Sequence, residues 1–382
     1  MNDIYLMDRS RQQLTLEGVD YAAHDLPRLR AMAEERADDF LRDLCLFLED
    51  WFSDAPTLQV QTSGSTGTPK QLSVRKEQMM NSARITCEFL RLRPGDTALL
   101  CMPLRYIAGK MVVVRALVAG LNLILRTPSG HPLATDDDTP IRFTAMIPLQ
   151  VDNSLRIPAE RERLAHIDTL IIGGGSIDAD LERELREMPH AIYSTYGMTE
   201  TLSHIALRRL NGPEASPFYH PFPTVKLSLS PESTLVIDAP LVCDERLVTN
   251  DIAHIRPDGS FRIIGRKDNV INTGGVKVQI EEVEERLRPH LPTPFAITAI
   301  SDRKFGEAVT LLVAASLSKA EKHLLLSGRN LPQLLEELLP KYQRPKHILY
   351  VKAIPQTGSG KTDRAACRTL AKECITKNNT DV

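Results

Sequence analysis

The sequence predicts an α/β protein with a large N-terminal domain of layered sheets and helices, a β-rich segment, and a small α+β domain at the C-terminus. Short strand-like apolar runs alternate with helix-like segments up to about residue 200. From about residue 224 the pattern changes to short β segments. A second alternation of helices and strands begins near Asp268 and has the size of a small independent domain. We therefore predict domains at 1–267 and 268–382.

The N-terminal elements are predicted from apolar periodicity. Residues 27–51 carry apolar side chains at helical spacing, which predicts one amphipathic helix with a buried stripe. Further strands are predicted at 97–101, 121–125, 141–147, 168–172 and 191–195, and helices at 76–91, 111–119 and 179–188. This alternation is typical of parallel sheets, which bind ligands at the carboxyl ends of their strands. Gly173–Gly175 and Tyr196–Glu200 directly follow two of these strands.

The C-terminal elements are predicted from the same patterns. Pro257-Asp-Gly259 is a turn signal between strands at 252–256 and 261–264. Beyond Asp268, we predict helices at 279–288, at 331–339 and from about 361, and strands at 295–301, 307–316 and 346–352.

The composition excludes several classes of function. The 382 residues are 42% hydrophobic and 25% charged, with a formal charge of −2, so no overall field would attract nucleic acid or an anionic membrane. No apolar stretch approaches the roughly 20 residues that cross a bilayer, and the first residues lack a secretion signal. We therefore expect a cytoplasmic protein. The six cysteines are scattered, which favours reduced, mostly buried thiols over a metal site or a disulfide framework.

A loop rich in hydroxyls and glycine follows a strand-like run and ends in a lysine, Gln61-Thr-Ser-Gly-Ser-Thr-Gly-Thr-Pro-Lys70. Gly64 and Gly67 allow backbone N–H groups to turn toward an anion, where a side chain would obstruct close approach. The hydroxyls add donors, and Lys70 adds a mobile positive charge. Taken alone, such a segment is more often a solvated linker. Four further motifs favour phosphate binding.

These motifs are Tyr196–Glu200, Thr249–Asp251, Gly265–Asp268 with Gly274-Gly275, and Pro355–Lys361. Together with the first loop, they resemble the adenylate-forming superfamily of acyl- and aryl-CoA ligases, adenylation domains and luciferases. The resemblance spans residues 58–366. It implies the adenylate-forming enzyme fold with a mobile C-terminal domain, and the use of ATP, Mg²⁺ and CoA to activate a carboxylic acid.

The resemblance also implies residue roles. Residues Ser63 to Lys70 would hold the β- and γ-phosphates, while Thr199 and Glu200 would be catalytic and would meet the metal and the phosphates. Tyr196 would stack on adenine, and Asp251 would accept hydrogen bonds from the ribose. The residues assigned to nucleotide and cofactor binding are Thr62, Ser63, Gly64, Ser65, Thr66, Gly67, Lys70, Gly173, Gly174, Gly175, Tyr196, Gly197, Met198, Thr199, Asp251, Arg266, Gly274 and Gly275. Glu200 could instead begin a helix, and Asp251 could be an ordinary turn carboxylate.

A second lysine is the catalytic cation that the resemblance implies. Gly358-Ser-Gly-Lys-Thr362 looks like the end of a Walker A loop, but the first glycine of that motif would fall at Pro355. A nucleoside-triphosphatase is therefore not predicted. Lys361 would approach the α-phosphate and the substrate carboxylate during adenylation, with Asp268 as the hinge between the domains. Gly274 and Gly275 would face a thiol in the second half-reaction, although a glycine pair is also common in plain turns.

The acid substrate is predicted from the segment Cys101–Lys110, which resembles the family element that usually reads Pro-Leu-Phe-His. Tyr106 stands where histidine is common, which puts the gating role of that histidine in doubt. The other candidate pocket residues are Arg105, Lys110, Ser203 and His204. A dicarboxylate would need such cations because its second carboxylate stays charged, although surface positions for the two cations are equally compatible with the sequence.

The chain is compact for the superfamily, since only about sixty residues precede the phosphate loop. Its Tyr-Gly-Met-Thr-Glu-Thr run followed by Ser-His-Ile-Ala is most similar to the o-succinylbenzoate–CoA ligases of menaquinone synthesis, which implies an aromatic dicarboxylate substrate. Two alternatives remain open: another acyl- or aryl-CoA ligase or carrier-protein adenylation enzyme, and a catalytically silent nucleotide-binding module. The sequence does not indicate an oligomeric state.

Overall fold

The computed structural model describes residues 4–61, 71–175, 177, 179–314, 331–357 and 362–380, the last four without their side chains. The predicted phosphate-binding residues Thr62 to Lys70 and the predicted catalytic Lys361 lie outside the described residues.

The helices and strands alternate through most of the chain. The helices are α1 (Leu26–Glu35), α2 (Asp39–Phe52), α3 (Lys76–Leu90), α4 (Ile107–Ala119), α5 (Pro148–Arg156), α6 (Pro158–Ala165), α7 (Ala179–Leu185), α8 (Ile280–Leu287), α9 (Leu331–Leu338) and α10 (Arg364–Thr380). The strands are β1 (Leu14–Leu16), β2 (Val19–Tyr21), β3 (Thr57–Gln61), β4 (Gln71–Arg75), β5 (Thr97–Leu100), β6 (Asn122–Leu125), β7 (Phe143–Met146), β8 (Thr169–Ile172), β9 (Ala191–Gly197), β10 (His204–Arg209), β11 (His220–Pro221), β12 (Lys226–Leu229), β13 (Thr234–Asp238), β14 (Leu247–Ile255), β15 (Phe261–Arg266), β16 (Val270–Thr273), β17 (Val276–Gln279), β18 (Phe295–Asp302), β19 (Gly306–Ala314) and β20 (His347–Val351). The predicted α/β class is confirmed.

A large sheet organises the N-terminal part of the chain. Within the described residues its strand order is β11-β10-β9-β8-β7-β5-β6-β1-β2. The strands from β9 to β1 in that order run parallel to their neighbours, while β2, β10 and β11 are antiparallel additions at the edges. The carboxyl ends of β8 and β9 therefore open on the same edge of the sheet, where a parallel sheet binds its ligands.

The predicted helix at 27–51 is wrong in one respect, because the structure has two helices there. Helix α1 ends at Glu35, and Ala37 then has a positive φ of 49°. Asp38 begins the second helix as its N-cap, since one carboxylate oxygen accepts hydrogen bonds from the N–H groups of Phe40 (2.9 Å) and Leu41 (3.0 Å). The apolar stripe continues across the break, so periodicity alone did not reveal it.

Helix α4 is buried on almost every side. All residues from Met111 to Ala119 are buried, including Arg115, the one charged residue in that run. A helix that is apolar all round belongs inside the core, between other layers, and not on the surface. It ends at Gly120, whose φ of +64° is a left-handed conformation that favours glycine.

The chain forms two compact units. The first comprises Met1–Leu227, Ile237–Leu247 and Arg256–Phe261, and the second comprises Ser228–Val236, Val248–Ile255 and Arg262–Val382. The second unit thus takes in segments that precede Asp268, and the domain boundary between 267 and 268 stays a prediction.

The second unit is built around a sheet in which β17, β16, β19 and β18 are neighbours in that order and β20 pairs with β19. One apolar cluster joins one face of this sheet to α8 and α9, and another joins the opposite side of β18 and β19 to α10. The strands β12 to β15 form a separate sheet in chain order. No helix among the described residues has both the length and the apolar character needed to cross a membrane.

Candidate active site

Two predicted nucleotide-binding segments lie at the carboxyl ends of β8 and β9. The N–H of Gly173 donates to the carbonyl oxygen of Met146 (3.0 Å). A Cβ at Gly173 would lie 2.5 Å from Oγ1 of Thr195, so a larger residue would displace that side chain of β9. Gly174 has a φ of +77°, which L residues rarely adopt. The sequence therefore needs glycine here for close approach between the two strands.

Tyr196 lies in a cluster of three aromatic rings. Its ring contacts Phe261 edge to face, with centroids 5.2 Å apart, and lies 5.8 Å from the ring of Tyr219. Tyr219 in turn stacks on Phe261 at 5.6 Å. Tyr196 is half-buried, so packing fixes its orientation while part of the ring stays accessible. This geometry suits the predicted stacking on adenine, which stays a prediction.

A tight turn follows Tyr196. A Cβ at Gly197 would lie 2.2 Å from the carbonyl oxygen of Ser203, so only glycine fits without moving the backbone. The hydroxyl of Thr201 accepts a hydrogen bond from the N–H of Met198 (3.0 Å) and donates one to the carbonyl oxygen of Ser203 (2.8 Å). Thr201 is fully buried, and its two hydrogen bonds join the beginning of the turn at Met198 to its end at Ser203.

Thr199 and Glu200 project from this turn. The segment Thr199–Thr201 is a short 3-10 helix, in which Glu200 is exposed and Thr199 is half-buried. Burial raises the pKa of the Cys243 thiol, and the charge of Glu200 adds a smaller rise. The described residues contain no cluster of three or more metal-ligating side chains. An exposed carboxylate beside a hydroxyl fits Mg²⁺, which usually binds one or two carboxylates together with substrate phosphates.

A buried arginine lies next to the same turn. The guanidinium of Arg115, only 2% exposed, donates from Nη2 to Oγ of Ser203 (2.7 Å) and to Oγ1 of Thr86 (3.5 Å). The ring of His204 completes the cluster, with Nε2 3.1 Å from Oγ1 of Thr86 and Nδ1 3.2 Å from Oγ of Ser203. The predicted pocket residues Ser203 and His204 are thus brought together. Arg115 was not predicted from the sequence, although a single cation inside an apolar helix was a usable signal.

The electrostatics of this cluster are unfavourable for a charge. Burial lowers the pKa of Arg115 to about 10, partly offset by Cys87, and burial together with Arg115 lowers the pKa of His204 well below its ordinary value. The histidine is therefore neutral at pH 7. No carboxylate of the described residues forms an ion pair with Arg115, and its buried Nε has no hydrogen-bond partner among them. A buried cation without an anion is costly to the fold.

The other predicted pocket residues lie elsewhere around α4. Arg105 is exposed, with its guanidinium 4.8 Å from the centroid of the Tyr106 ring. Tyr106 forms an isolated parallel β-bridge with Gln61, the residue directly before the predicted phosphate-binding residues. Lys110 lies 5.2 Å from the ring of Phe47 on α2, and burial lowers the pKa of its amine. The contacts of Arg105 and Lys110 described above are with aromatic rings and not with Ser203 or His204, and the substrate role of the two cations stays a prediction.

The predicted ribose and hinge residues of the second unit share one guanidinium. Arg266 lies 3.3 Å from a carboxylate oxygen of Asp251 through Nη1, and 2.7 Å from one of Asp268 through Nη2. Asn250 also donates to Asp268 (3.2 Å). Burial alone would lower the pKa of Arg266, but the hydrogen bond with Asp268 and the charge of Asp251 raise it. Asp251 is therefore held in a fixed position, as a residue that orients a ligand hydroxyl needs to be.

Gly274 and Gly275 form the two-residue turn of a hairpin between β16 and β17. Both have positive φ, 59° and 82°, and the flanking pair is Thr273 with Val276. Two left-handed residues in succession match the twist of the strands, which explains the glycine pair structurally. The N–H of Gly274 also donates to the carbonyl oxygen of Phe305 (2.8 Å). The predicted role of this turn toward a thiol stays a prediction.

Comparison with known proteins gives one family match. A family model described as AMP-binding enzyme matches residues 49–237. The chain is 24% identical to a 2-succinylbenzoate–CoA ligase of Lactococcus lactis subsp. lactis over 322 residues, which cover 79% of this chain and 68% of that protein.

Two solved structures are also similar. The acyl-CoA synthetase (AMP-forming)/AMP-acid ligase II-like protein of Dyadobacter fermentans is 31% identical, with a TM-score of 0.59, and the match covers 88% of this chain and 95% of that one. The o-succinylbenzoate CoA synthetase of Bacillus subtilis, in complex with its acyl-adenylate intermediate, is 21% identical, with a TM-score of 0.65 and coverage of 80% and 68%. The second likeness shows the fold alone.

Proposed function

This chain belongs to the AMP-binding enzyme family, and we propose that it is an AMP-forming acid–thiol ligase, which activates a carboxylic acid with ATP and transfers the acyl group to CoA. In the first half-reaction the acid attacks the α-phosphate of ATP, so that an acyl-adenylate forms and pyrophosphate leaves. In the second half-reaction the thiol of CoA displaces AMP. The expected cofactors are ATP and Mg²⁺, with CoA as the second substrate.

The acid that we propose is o-succinylbenzoate, an aromatic dicarboxylate. The products would be o-succinylbenzoyl-CoA, AMP and pyrophosphate, a step of menaquinone biosynthesis. The names of the similar proteins support this proposal. The single structural observation that supports it is the buried Arg115.

Arg115 supplies what a dicarboxylate requires. Only one carboxylate of such an acid is converted to the adenylate, and the other keeps its charge inside the pocket. A desolvated carboxylate is stable only beside a cation or several donors. Arg115 carries a buried positive charge without a carboxylate partner among the described residues, and Ser203 and His204 lie within hydrogen-bond reach of one another beside it. We assign these three residues to the second carboxylate.

The remaining residues have proposed roles in the nucleotide chemistry. Thr199 and Glu200 would hold Mg²⁺ together with the phosphates, since a hydroxyl and a carboxylate are the oxygen ligands that this ion prefers. Asp251 would accept hydrogen bonds from the ribose hydroxyls. Lys361 would stabilise the negative charge that accumulates when the carboxylate meets the α-phosphate.

Pyrophosphate exchange tests the proposal directly. Labelled pyrophosphate is incubated with the protein, ATP, Mg²⁺ and each of a panel of mono- and dicarboxylic acids, and each acid is then tested with CoA for thioester formation. We expect exchange with o-succinylbenzoate and its conversion to the CoA thioester. Exchange with a different acid, or exchange without CoA transfer, would identify another ligase or a carrier-protein adenylation enzyme. No exchange with any acid would leave the silent nucleotide-binding module.

Lys361→Ala is the matched variant for the mechanism. The variant should bind ATP but form acyl-adenylate on the order of 100-fold more slowly, because a positioned charge at the reacting phosphate is lost. Adenylation at the wild-type rate would contradict the role of Lys361 without affecting the family membership. The use of ATP and CoA, both cytoplasmic metabolites, supports the predicted cytoplasmic location.

A further inference from the structure

A buried carboxylate in the second unit holds the beginning of helix α10. Glu284 of α8 accepts hydrogen bonds from both terminal nitrogens of Arg364, at 2.5 and 2.7 Å, and from the N–H of Ile297 at 2.8 Å. Only 9% of the Glu284 side chain is exposed. Burial alone would lower the pKa of Arg364, but the hydrogen bond and the charge of Glu284 raise it. Bidentate pairs of this kind fix both distance and orientation.

Arg364 lies three residues after Lys361, and the flanks of that segment are also held. Gln356 and Thr362 form an antiparallel bridge. The N–H of Asp363 donates to the carbonyl oxygen of Pro355 (2.9 Å). The two ends of the segment that contains Lys361 are therefore joined to one another, and the pair with Glu284 anchors them to α8.

Helix α8 has a second anchor one turn earlier. Glu281 accepts hydrogen bonds from the side-chain amides of Asn269 and Gln279, and Gln279 also donates to the carbonyl oxygen of Arg266 (2.9 Å). Residues three apart lie on the same face of a helix. One face of α8 thus contacts both the segment that holds the predicted hinge and the base of the segment that contains Lys361.

We propose that Glu284 and Arg364 are positioning residues for adenylation, because their ion pair fixes the base of the segment that carries Lys361. The proposal rests on the proposed function, which assigns Lys361 to the first half-reaction. A lysine has a flexible four-carbon stem, so the position of its backbone limits where the amine can be held. A displacement of about 1 Å at a reacting group can cost on the order of 100-fold in rate.

The test is Glu284→Gln, measured in the two half-reactions separately. The amide keeps the volume of the side chain and an acceptor for Ile297, but it loses the charge that holds Arg364. Adenylation is followed by pyrophosphate exchange with o-succinylbenzoate, and thiol transfer is followed with CoA and chemically prepared acyl-adenylate. We expect the kcat of exchange to fall roughly 10- to 100-fold while the KM for ATP and the rate of thiol transfer stay within about twofold.

The matched control lies on the same helix. Glu282 forms an exposed pair with Arg286 (2.7 Å), so Glu282→Gln removes a carboxylate from α8 without touching the base of the Lys361 segment. This control should leave both half-reactions unchanged. Arg364→Lys keeps the charge and loses the bidentate geometry, so its exchange rate should fall between those of wild type and Glu284→Gln.

The outcomes are distinguishable. An equal fall in both half-reactions would mean that the pair serves stability alone, and an unchanged exchange rate would mean that it serves no positioning role; either result overturns the proposal. If Glu284→Gln does not fold, Arg364→Lys is judged by the same two rates. Wild-type protein that shows no exchange with any acid would instead refute the proposed function, and the inference with it.

Discussion

Replacing Arg115 by methionine distinguishes the effect of this residue on the stability of the fold from its effect on substrate binding. Methionine fills a similar elongated volume without a charge. Arg115 is 2% exposed, and burial lowers its pKa from 12.5 to about 10. At about 1.4 kcal/mol for each pKa unit, this difference corresponds to about 3 kcal/mol of unfavourable free energy in the charged, ligand-free protein.

The stability of Arg115→Met should therefore stay close to that of wild type or exceed it. The variant recovers the cost of the buried charge but loses the hydrogen bonds to Ser203 and Thr86, each of which contributes about 1 kcal/mol. We expect the free energy of unfolding in urea to fall by no more than about 1 kcal/mol, and it can rise. A purely structural arginine would show the opposite, a clear loss of stability.

The activity of Arg115→Met should fall steeply. Removing one partner of a buried charge pair costs about 2 to 5 kcal/mol, which corresponds to a loss in kcat/KM for o-succinylbenzoate of roughly 30-fold to several thousandfold. The assay is pyrophosphate exchange with o-succinylbenzoate and with two mono-acid analogues, 3-benzoylpropionate and 2-butyrylbenzoate, each of which keeps one carboxylate. The analogue that lacks the carboxylate held by Arg115 should react equally well with wild type and variant.

Arg142 offers a matched control. It is partly buried, donates to Oγ1 of Thr169 (2.7 Å), and directly precedes β7, so it lies at the amino ends of the parallel strands, opposite the ligand edge. Arg142→Met should lower stability without changing the preference for the dicarboxylate. Equal kcat/KM for o-succinylbenzoate in wild type and Arg115→Met would refute the assignment of Arg115 to the second carboxylate.

Three further predictions, one of them with a control variant, test other residues of the site. Asp251→Asn should raise the KM for ATP roughly 10- to 100-fold in the exchange assay, because a charged acceptor for the ribose is lost; an unchanged KM would contradict the role. The pKa of buried His204 lies well below its ordinary value of 6.5, because the folded protein disfavours the protonated ring. The folded protein therefore has its full stability above pH 6.5 and loses stability as the pH falls below that value. Between pH 7 and pH 5, the free energy of unfolding should therefore fall further in wild type than in His204→Gln, by at most about 2 kcal/mol; equal falls in the two proteins would contradict the depressed pKa. Gly197→Ala places a Cβ 2.2 Å from the Ser203 carbonyl oxygen, so exchange should fall about tenfold or more, with about 1 to 3 kcal/mol of stability lost. In the control Gly259→Ala no atom lies within 4 Å of the added Cβ, so the variant should keep the exchange rate, although the φ of +83° means that alanine costs some stability there as well.

The alternation of apolar runs was sufficient to predict the layered sheet. A buried parallel strand must be apolar on both faces, and the residues of β7 and β8 are all buried, so their position in the sequence is unmistakable. The short hairpin of β1 and β2 at the far edge was not predicted. Each of its strands has three residues, and Val19 and Asp20 in β2 are exposed, so no periodic signal reaches the length that such a prediction needs.

The break between α1 and α2 was missed for a different reason. Helical periodicity reports which side of a chain is apolar, and both helices pack with their stripe inward, so the stripe runs on across residues 36–38. The useful signal was local, since Asp38 followed by Asp39 and an apolar run is a pattern typical of an N-cap. Periodicity reports which side of a helix is apolar, whereas a capping residue reports where a helix begins. A helix that begins inside a longer apolar stripe can therefore be predicted only from its capping residue.

The residues proposed for the acid pocket show the limit of reasoning from motifs. Arg105 and Lys110 were singled out because they adjoin a recognisable family element, yet Arg105 is exposed and Lys110 packs against Phe47. Arg115 lies outside that element, in a helix whose other residues are apolar. A charge within a fully buried run is costly to the fold. Such a charge is a better pointer to a ligand than the proximity of a cation to a motif.

The residues proposed for Mg²⁺ and those proposed for the acid are joined by one short turn. Leu202, between Glu200 and Ser203, has a φ of 65°, a conformation that costs a non-glycine residue about 1 to 3 kcal/mol unless its surroundings enforce it. The surroundings do enforce it, because Leu202 is buried and its N–H donates to the carbonyl oxygen of Thr199 (2.9 Å). A bound carboxylate that displaced the backbone of Ser203 would therefore move Thr199 and Glu200 as well. With the proposed roles, binding of the acid and placement of the metal ligands would be coupled through this turn, so a poorly fitting acid should lower the rate of adenylation as well as its own affinity.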